Sequence, residues 1–153
     1  MDISQITEYL YVGAQPRAKH AADLRALNVR LIISMRGEAR PPAPFWQAPF
    51  HLVWLKTYDT FFTPISVPKL TEGVRAALPV IRGGGRVLAY CQYGRHRGPA
   101  MGSAILIAMG YSAEEALRLL RSKRIRAQPQ AWYIKRQIRK FEKLWKSNNH
   151  GLH

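Results

Sequence analysis

Cys91 is the only cysteine of the 153-residue chain, and it stands in the stretch VLAYCQYGRHRGPAMG, residues 87–102. An apolar run precedes it and a run of small residues follows. The pattern predicts a short buried strand through RVLAY, a loop from Cys91 to Arg97, and a helix beginning near Pro99, whose missing N–H costs nothing in a first turn. Such a loop turns successive N–H groups inward as an anion nest, and the helix N terminus adds partial positive charge. Gly94 allows the tight turn and a close backbone approach. A helix N terminus beside arginines favours the thiolate, which is a nucleophile toward phosphorus. Arg97 can fork two N–H groups onto two oxygens of a tetrahedral anion, which a lysine could not do. Phosphate transfer to the thiolate also needs an acid to protonate the leaving oxygen. Asp59, in LKTYDTFF, is the only aspartate between Asp23 and Cys91. It follows another expected strand and can open onto the same edge of the sheet. Taken singly, a cysteine is a small buried hydrophobe and such an aspartate a turn former. The strand, glycine, arginine and helix in succession favour the chemical reading.

The elements that must position these groups alternate along the chain. YLYVG reads as a short strand closed by Gly13, residues 17–28 as a helix, and VRLIISM as a buried strand. GEARPPAPFWQAP is a proline-rich loop, and FHLVWLKT is the next strand. Ser66 caps a helix through VPKLTEGVRAALPVIR that ends at GGG. The helix near Pro99 stops at Gly110. Ser112 with Glu115 makes a capping box for AEEALRLLRSK. After Pro129 a last helix runs from about Ala131 to Trp145. Strands alternating with helices predict an α/β fold with a central, mostly parallel twisted sheet of about five strands. Cys91 then sits at the carboxyl end of a central strand, where ligands bind in open α/β sheets.

Composition bounds the rest. Hydrophobic residues make up 47% of the chain, with four Trp, seven Tyr and five Phe. This suits one domain over residues 1–153, with a core at about 6–146 and a short basic tail. No apolar run is long enough to span a bilayer, and MDISQITEYL lacks the pattern of a signal peptide. The expected location is the cytoplasm. Lys and Arg number 24 against 9 Asp and Glu, a net charge of +15. That field attracts polyanions: phosphorylated substrates, acidic membranes or nucleic acid. Nucleic acid alone explains the charge but not the placement of the thiol. The basic residues near the C terminus alternate with apolar ones, as on a solvated helix face.

The loop CQYGRHRG matches the C-x(5)-R signature of cysteine-dependent protein phosphatases, and the chain resembles their small atypical dual-specificity branch. ITEYLYVGAQ resembles that branch's opening strand pair. Asp59 precedes Cys91 at the separation of its general acid, and GYSAEEALRLLRSKR and AWYIKRQIRKFEKLW resemble its closing helices. The resemblance implies hydrolysis of protein phosphotyrosine, and of phosphoserine or phosphothreonine, through a phosphocysteine. Cys91 is then the nucleophile, Arg97 the clamp and Asp59 the acid. The phosphate-binding loop comprises Gln92, Tyr93, Gly94, Arg95, His96, Arg97 and Gly98, and no metal or organic cofactor is implied. Two positions depart from the family pattern. Tyr90 replaces the usual histidine before the cysteine. Gly98 replaces the usual Ser or Thr, whose hydroxyl helps the thiolate depart. GRHR also resembles a subgroup acting on inositol phosphates and pyrophosphates, which makes Arg95 and His96 candidate ligands for extra phosphates. The alternative substrates are inositol polyphosphates, phosphoinositides and RNA 5′ phosphates. A low-turnover phosphate-binding module is the alternative to an enzyme.

Overall fold

The computed structural model describes residues 1–148. Its strands are β1 (Ile3–Thr7), β2 (Leu10–Ala14), β3 (Val29–Arg36), β4 (His51–Thr57) and β5 (Arg86–Cys91). Its helices are α1 (Ala21–Ala26), α2 (Val67–Arg82), α3 (Arg97–Ala108), α4 (Ala113–Lys123) and α5 (Trp132–Asn148). The strands form one sheet in the order β1-β2-β5-β3-β4. β5, which carries Cys91, is the middle strand and runs parallel to β2 and β3, as β3 does to β4; only β1 pairs antiparallel, with β2. The α/β architecture with a mostly parallel five-stranded sheet is the one expected.

The near-continuous apolar runs of β3 and β5 are buried on both faces, as parallel strands require. Alternation along β5 sends Val87, Ala89 and Cys91 into the larger core beneath α2 to α5. Leu88 and Tyr90 enter a smaller core with Leu24, Phe45 and Phe50. α3 is buried from Arg97 through Ile107. It has no polar face because α2, α4, α5 and the sheet surround it, and Gly98, Ala100, Gly102 and Ala104 keep it slim enough to fit.

The expected caps are present. Ser66 Oγ accepts from the Lys69 N–H at 3.3 Å, and Ser112 and Glu115 bond each other's backbone N–H at 3.1 Å each. Some boundaries differ from the sequence reading: β1 already starts at Ile3, ahead of the expected core, and β2 runs to Ala14. The helix expected over residues 17–28 is a 3-10 turn at Ala18–His20 followed by α1, and it ends at Asn28 with φ 63°. α3 begins at Arg97, two residues before Pro99, because a proline is tolerated throughout a first turn whose N–H groups are unbonded anyway. α5 extends past Trp145 to Asn148. The tail expected after residue 146 lies outside the described residues beyond that point.

Ile33 is fully buried in β3, next to β5. Ile33→Ala should lower unfolding stability by about 2–5 kcal/mol. Denaturant titration with an unchanged slope will show it.

Candidate active site

The chain leaves β5 at Cys91, turns through residues 92–96 and enters α3 at Arg97. Gly94 makes the turn with φ 69°. A Cβ there would stand 2.5 Å from Arg124 Nη2 and 2.7 Å from the carbonyl carbon of Gly13, so no other residue fits. The Gly94 N–H donates to Cys91 Sγ at 3.2 Å. Arg124, buried at the end of α4, holds the loop from behind: Nε donates to the Gly94 carbonyl and Nη2 to the Tyr93 carbonyl, each at 3.0 Å. Trans peptides point C=O and N–H in opposite directions. Carbonyls drawn outward to Arg124 therefore turn the Gly94 and Arg95 amides inward, over the thiol. Among the described residues, nothing accepts from the N–H groups of Tyr93, Arg95 and His96. With the open first turn of α3 they leave a group of backbone donors available to an anion.

Arg124 is itself held by Asp2, which accepts from Nη1 and Nη2 at 3.0 Å each, and by Ser4 Oγ at 3.1 Å. That pairing lowers the pKa of Asp2. Asp2 is fixed in turn by its carbonyl, which accepts from the Ala14 N–H at 2.9 Å.

Arg97 is 3% exposed. Glu38 meets it end-on, with Nη1 to Oε1 at 2.8 Å and Nη2 to Oε2 at 2.9 Å. Nη1 also donates to the carbonyls of Met35 (3.1 Å) and Thr57 (3.0 Å), at the ends of β3 and β4. Among the described residues Nε is buried without a partner. The Nε–H and the outer N–H of Nη2 are parallel, so one complete edge of the guanidinium stays free. Burial works against the charge of Arg97, but its bond to Glu38 and the nearby Cys91 and Asp59 raise its pKa on balance. Its hydrogen bond in turn holds Glu38 down at about 2.

Asp59 lies in the exposed segment after β4. Its carboxylate accepts from Tyr133 Oη at 3.1 Å and stands 3.0 Å from His96 Nδ1. His96 Nε2 lies 3.2 Å from Gln128 Oε1. An ionised Asp59 can only accept, so Nδ1 carries the ring proton in that state. Tyr133 has its pKa raised, by burial first and by Asp59 second.

Cys91, Arg97, Asp59 and His96 thus come together. Arg95 and His96 face different ways: Arg95 is exposed over the Tyr93 ring, 5.9 Å from its centroid, while His96 turns to Asp59. Gln92 Nε2 donates to Tyr93 Oη at 3.1 Å on the rim. Gly98 lies beside the thiol, and a Cβ there would be 3.5 Å from Sγ, an ordinary contact. The Tyr90 side chain enters the smaller core, on the opposite face from Cys91. Its hydroxyl lies against Ser34 and Arg36 without a hydrogen bond of normal geometry, and burial pushes its pKa up to about 12.

Sequence reasoning missed Glu38, Arg124, Asp2 and Tyr133. Glu38 had one available signal: it is the sole acidic residue between Asp23 and Asp59. Nothing distinguishes Arg124 among the arginines of RSKRIR.

No protein-family model matches the chain, and no curated protein matches it. Solved structures do. PTPMT1 is 24% identical, with 97% of this chain and 98% of that one covered and a TM-score of 0.84. Human DUSP28 is 24% identical over 95% of this chain and 99% of that one, with a TM-score of 0.80. A mouse protein provisionally described as a dual specificity phosphatase, complexed with zinc tungstate, is 21% identical over 95% and 89%, with a TM-score of 0.82. The chain has the dual-specificity phosphatase fold along nearly its whole length.

The Glu38–Arg97 pair has a pH signature. Glu38 titrates lower in the fold than its ordinary 4.5, so the pair's contribution is complete above that value and is lost as pH falls through about 2. Glu38→Gln should flatten the fall of melting temperature between those two pH values. It should also weaken inorganic phosphate binding at neutral pH. Parallel profiles for the two proteins would show that the pair does not form.

Proposed function

We propose that the protein is a phosphomonoester hydrolase working through a phosphocysteine. One observation carries this reading: the buried Arg97 keeps one donor edge unpaired beside a thiol under inward-facing amides. A buried unsatisfied donor costs free energy, and a dianionic phosphate removes that cost. Cys91 Sγ attacks phosphorus in line with the leaving oxygen. The S–P bond forms as the P–O bond breaks, and protonated Asp59 gives its proton to the leaving oxygen. Asp59, now the base, takes a proton from water as that water attacks the phosphocysteine, releasing phosphate and the thiolate. His96 and Tyr133 hold Asp59 at the mouth. The cytoplasm suits this thiol, because a reducing compartment keeps it free.

Phosphotyrosine in proteins is the first substrate class, with phosphoserine and phosphothreonine beside it. A second reading, hydrolysis of a phosphoinositide or inositol phosphate, is favoured by exposed Arg95 at the rim and by the crystal structure of PTPMT1 in complex with PI(5)P. His96, engaged with Asp59, is a weaker candidate for extra phosphates than Arg95. A turnover panel of phosphotyrosine and phosphoserine peptides, inositol phosphates, phosphoinositides and triphosphorylated RNA separates the classes. Cys91→Ser should abolish turnover of an aryl phosphate while phosphate still binds; near-normal turnover would remove the covalent mechanism.

Asp59→Asn should reduce rates unequally. General acid catalysis contributes roughly 100- to 10,000-fold for poor leaving groups and less for a nitrophenolate. Rates plotted against leaving-group pKa should fall more steeply in the variant. An equal loss for every leaving group would mean that Asp59 is not the acid.

Gly98 offers no hydroxyl to the departing thiolate. A hydrogen bond to a charged group is worth about 1.5–3 kcal/mol, so phosphocysteine breakdown should be slower by roughly ten- to a hundredfold. Rapid mixing should show a burst near one equivalent, then a slow steady state. Gly98→Ser should speed only the slow phase, since its Cβ fits at 3.5 Å from Sγ. Absence of a burst, with turnover not improved by the serine, would show that another group fills the role.

A further inference from the structure

The mouth of the site carries exposed apolar rings that neither the fold nor the proposed chemistry uses. Phe61 and Phe62 follow Asp59 closely, and Phe62 is 79% exposed. Their ring centroids are 4.0 Å apart, and Phe61 lies 6.1 Å from the ring of Trp132, itself 63% exposed. Trp132 meets Tyr133, the partner of Asp59, at 5.8 Å. One continuous aromatic run therefore leads from the acid to the outer surface.

A cationic strip begins where the rings end. Trp132, Lys135, Arg136, Arg139, Lys140 and Lys143 line a single shallow depression along α5. Lys135 and Arg139 share Glu114, at 3.7 and 2.8 Å. Arg136, Lys140 and Lys143 are exposed and make no ion pair among the described residues. Exposed aromatic groups beside unpaired cations mark a binding surface.

We propose that this surface docks the protein on an anionic lipid bilayer, with Phe61, Phe62 and Trp132 entering the interface and the α5 strip meeting acidic headgroups. The zoning favours a bilayer over single-stranded nucleic acid. Single-strand binding uses open ring faces with cations along the same groove. Here Phe61 and Phe62 pack against each other, tilted by 37° at 4.0 Å, and carry no hydrogen-bonding atom, and the apolar tip lies at one end of the cationic strip rather than interleaved with it. That matches hydrocarbon beneath a charged headgroup layer. The acid loop carries two of the rings, so docking turns the site toward the membrane and toward phosphomonoesters borne on it. This last consequence, but not the docking itself, rests on the proposed hydrolase activity.

The test is sedimentation of the full chain with phosphatidylcholine vesicles, with and without phosphatidylserine, beside turnover of a soluble aryl phosphate. Binding should require phosphatidylserine and weaken as salt screens the charges. Each basic side chain near an anionic surface is worth roughly fivefold in partitioning. Replacing Arg136, Lys140 and Lys143 together with Ala should therefore cost about a hundredfold. Phe62→Ala should reduce binding at least tenfold. Neither change should alter aryl phosphate turnover. Vesicle binding should shift tryptophan emission to the blue, and Trp132→Phe should remove most of that shift. Wild-type affinity in both variants, or equal binding to neutral vesicles, would overturn the proposal. Binding of a single-stranded oligonucleotide that the same variants weaken, without vesicle binding, would assign the surface to nucleic acid instead. Vesicle binding without aryl phosphate turnover would keep the docking surface and remove the hydrolase reading.

Discussion

The site depends on the pair formed by Arg97 and Glu38. A buried guanidinium must be matched by acceptors, or its desolvation destabilises the fold. Glu38 provides two, and the carbonyls of Met35 and Thr57 provide the rest on that side. Because those carbonyls end two neighbouring strands, one side chain ties β3, β4 and the start of α3 together. The pair leaves the other edge of Arg97 open. Among the described residues nothing satisfies that edge, and the bonds to Glu38, Met35 and Thr57 fix it in place before any anion arrives. Pre-oriented charge of this kind needs no reorganisation when the ligand binds, and it is worth most in a water-poor site.

The two halves of the proposed chemistry are built differently. The proposed nucleophile and its clamp stand on buried regular elements: Cys91 ends the central strand, and Arg97 opens a helix buried on every side. Asp59 stands on an exposed segment with little backbone bonding of its own, apart from the Thr60–Thr63 turn. Its position comes from the side chains of His96 and Tyr133. A proton donor that must first give and then take needs some freedom, whereas the attacking group needs none. The segment that carries Asp59 also carries Phe61 and Phe62, whose rings point away into solvent while the carboxylate is held by His96 and Tyr133.

Short-range patterns made much of this legible. The apolar strand, Gly94 and the arginine all act within one turn of chain, as do the Ser66 and Ser112 caps, and sequence order alone exposes them. The alternation of strands with helices placed Cys91 at the correct end of a central strand. The unread parts are long-range. Glu38 meets Arg97 across 59 positions, Arg124 reaches Gly94 across 30, and Tyr133 reaches Asp59 across 74. No local rule says which arginine of RSKRIR turns inward, since that depends on where α4 ends relative to the loop. Pro99 lies in the first turn of α3 as expected, and a proline marks such a turn without saying which of its positions it occupies.

The Arg124 clamp joins the loop to the very beginning of the chain, with Asp2 and Arg124 separated by 122 positions. Asp2 lies just ahead of β1, one of the sheet's two edge strands, which has a neighbour on one side only. Edge strands and chain ends open at lower free energy than a sheet's middle. When β1 frays, Asp2 withdraws from Arg124, a buried guanidinium loses its counter-charge, and the carbonyls of Tyr93 and Gly94 lose the group that faces them outward. The middle strand of the sheet thus carries the proposed nucleophile, while the amides around that thiol are held in place through a strand at the sheet's edge.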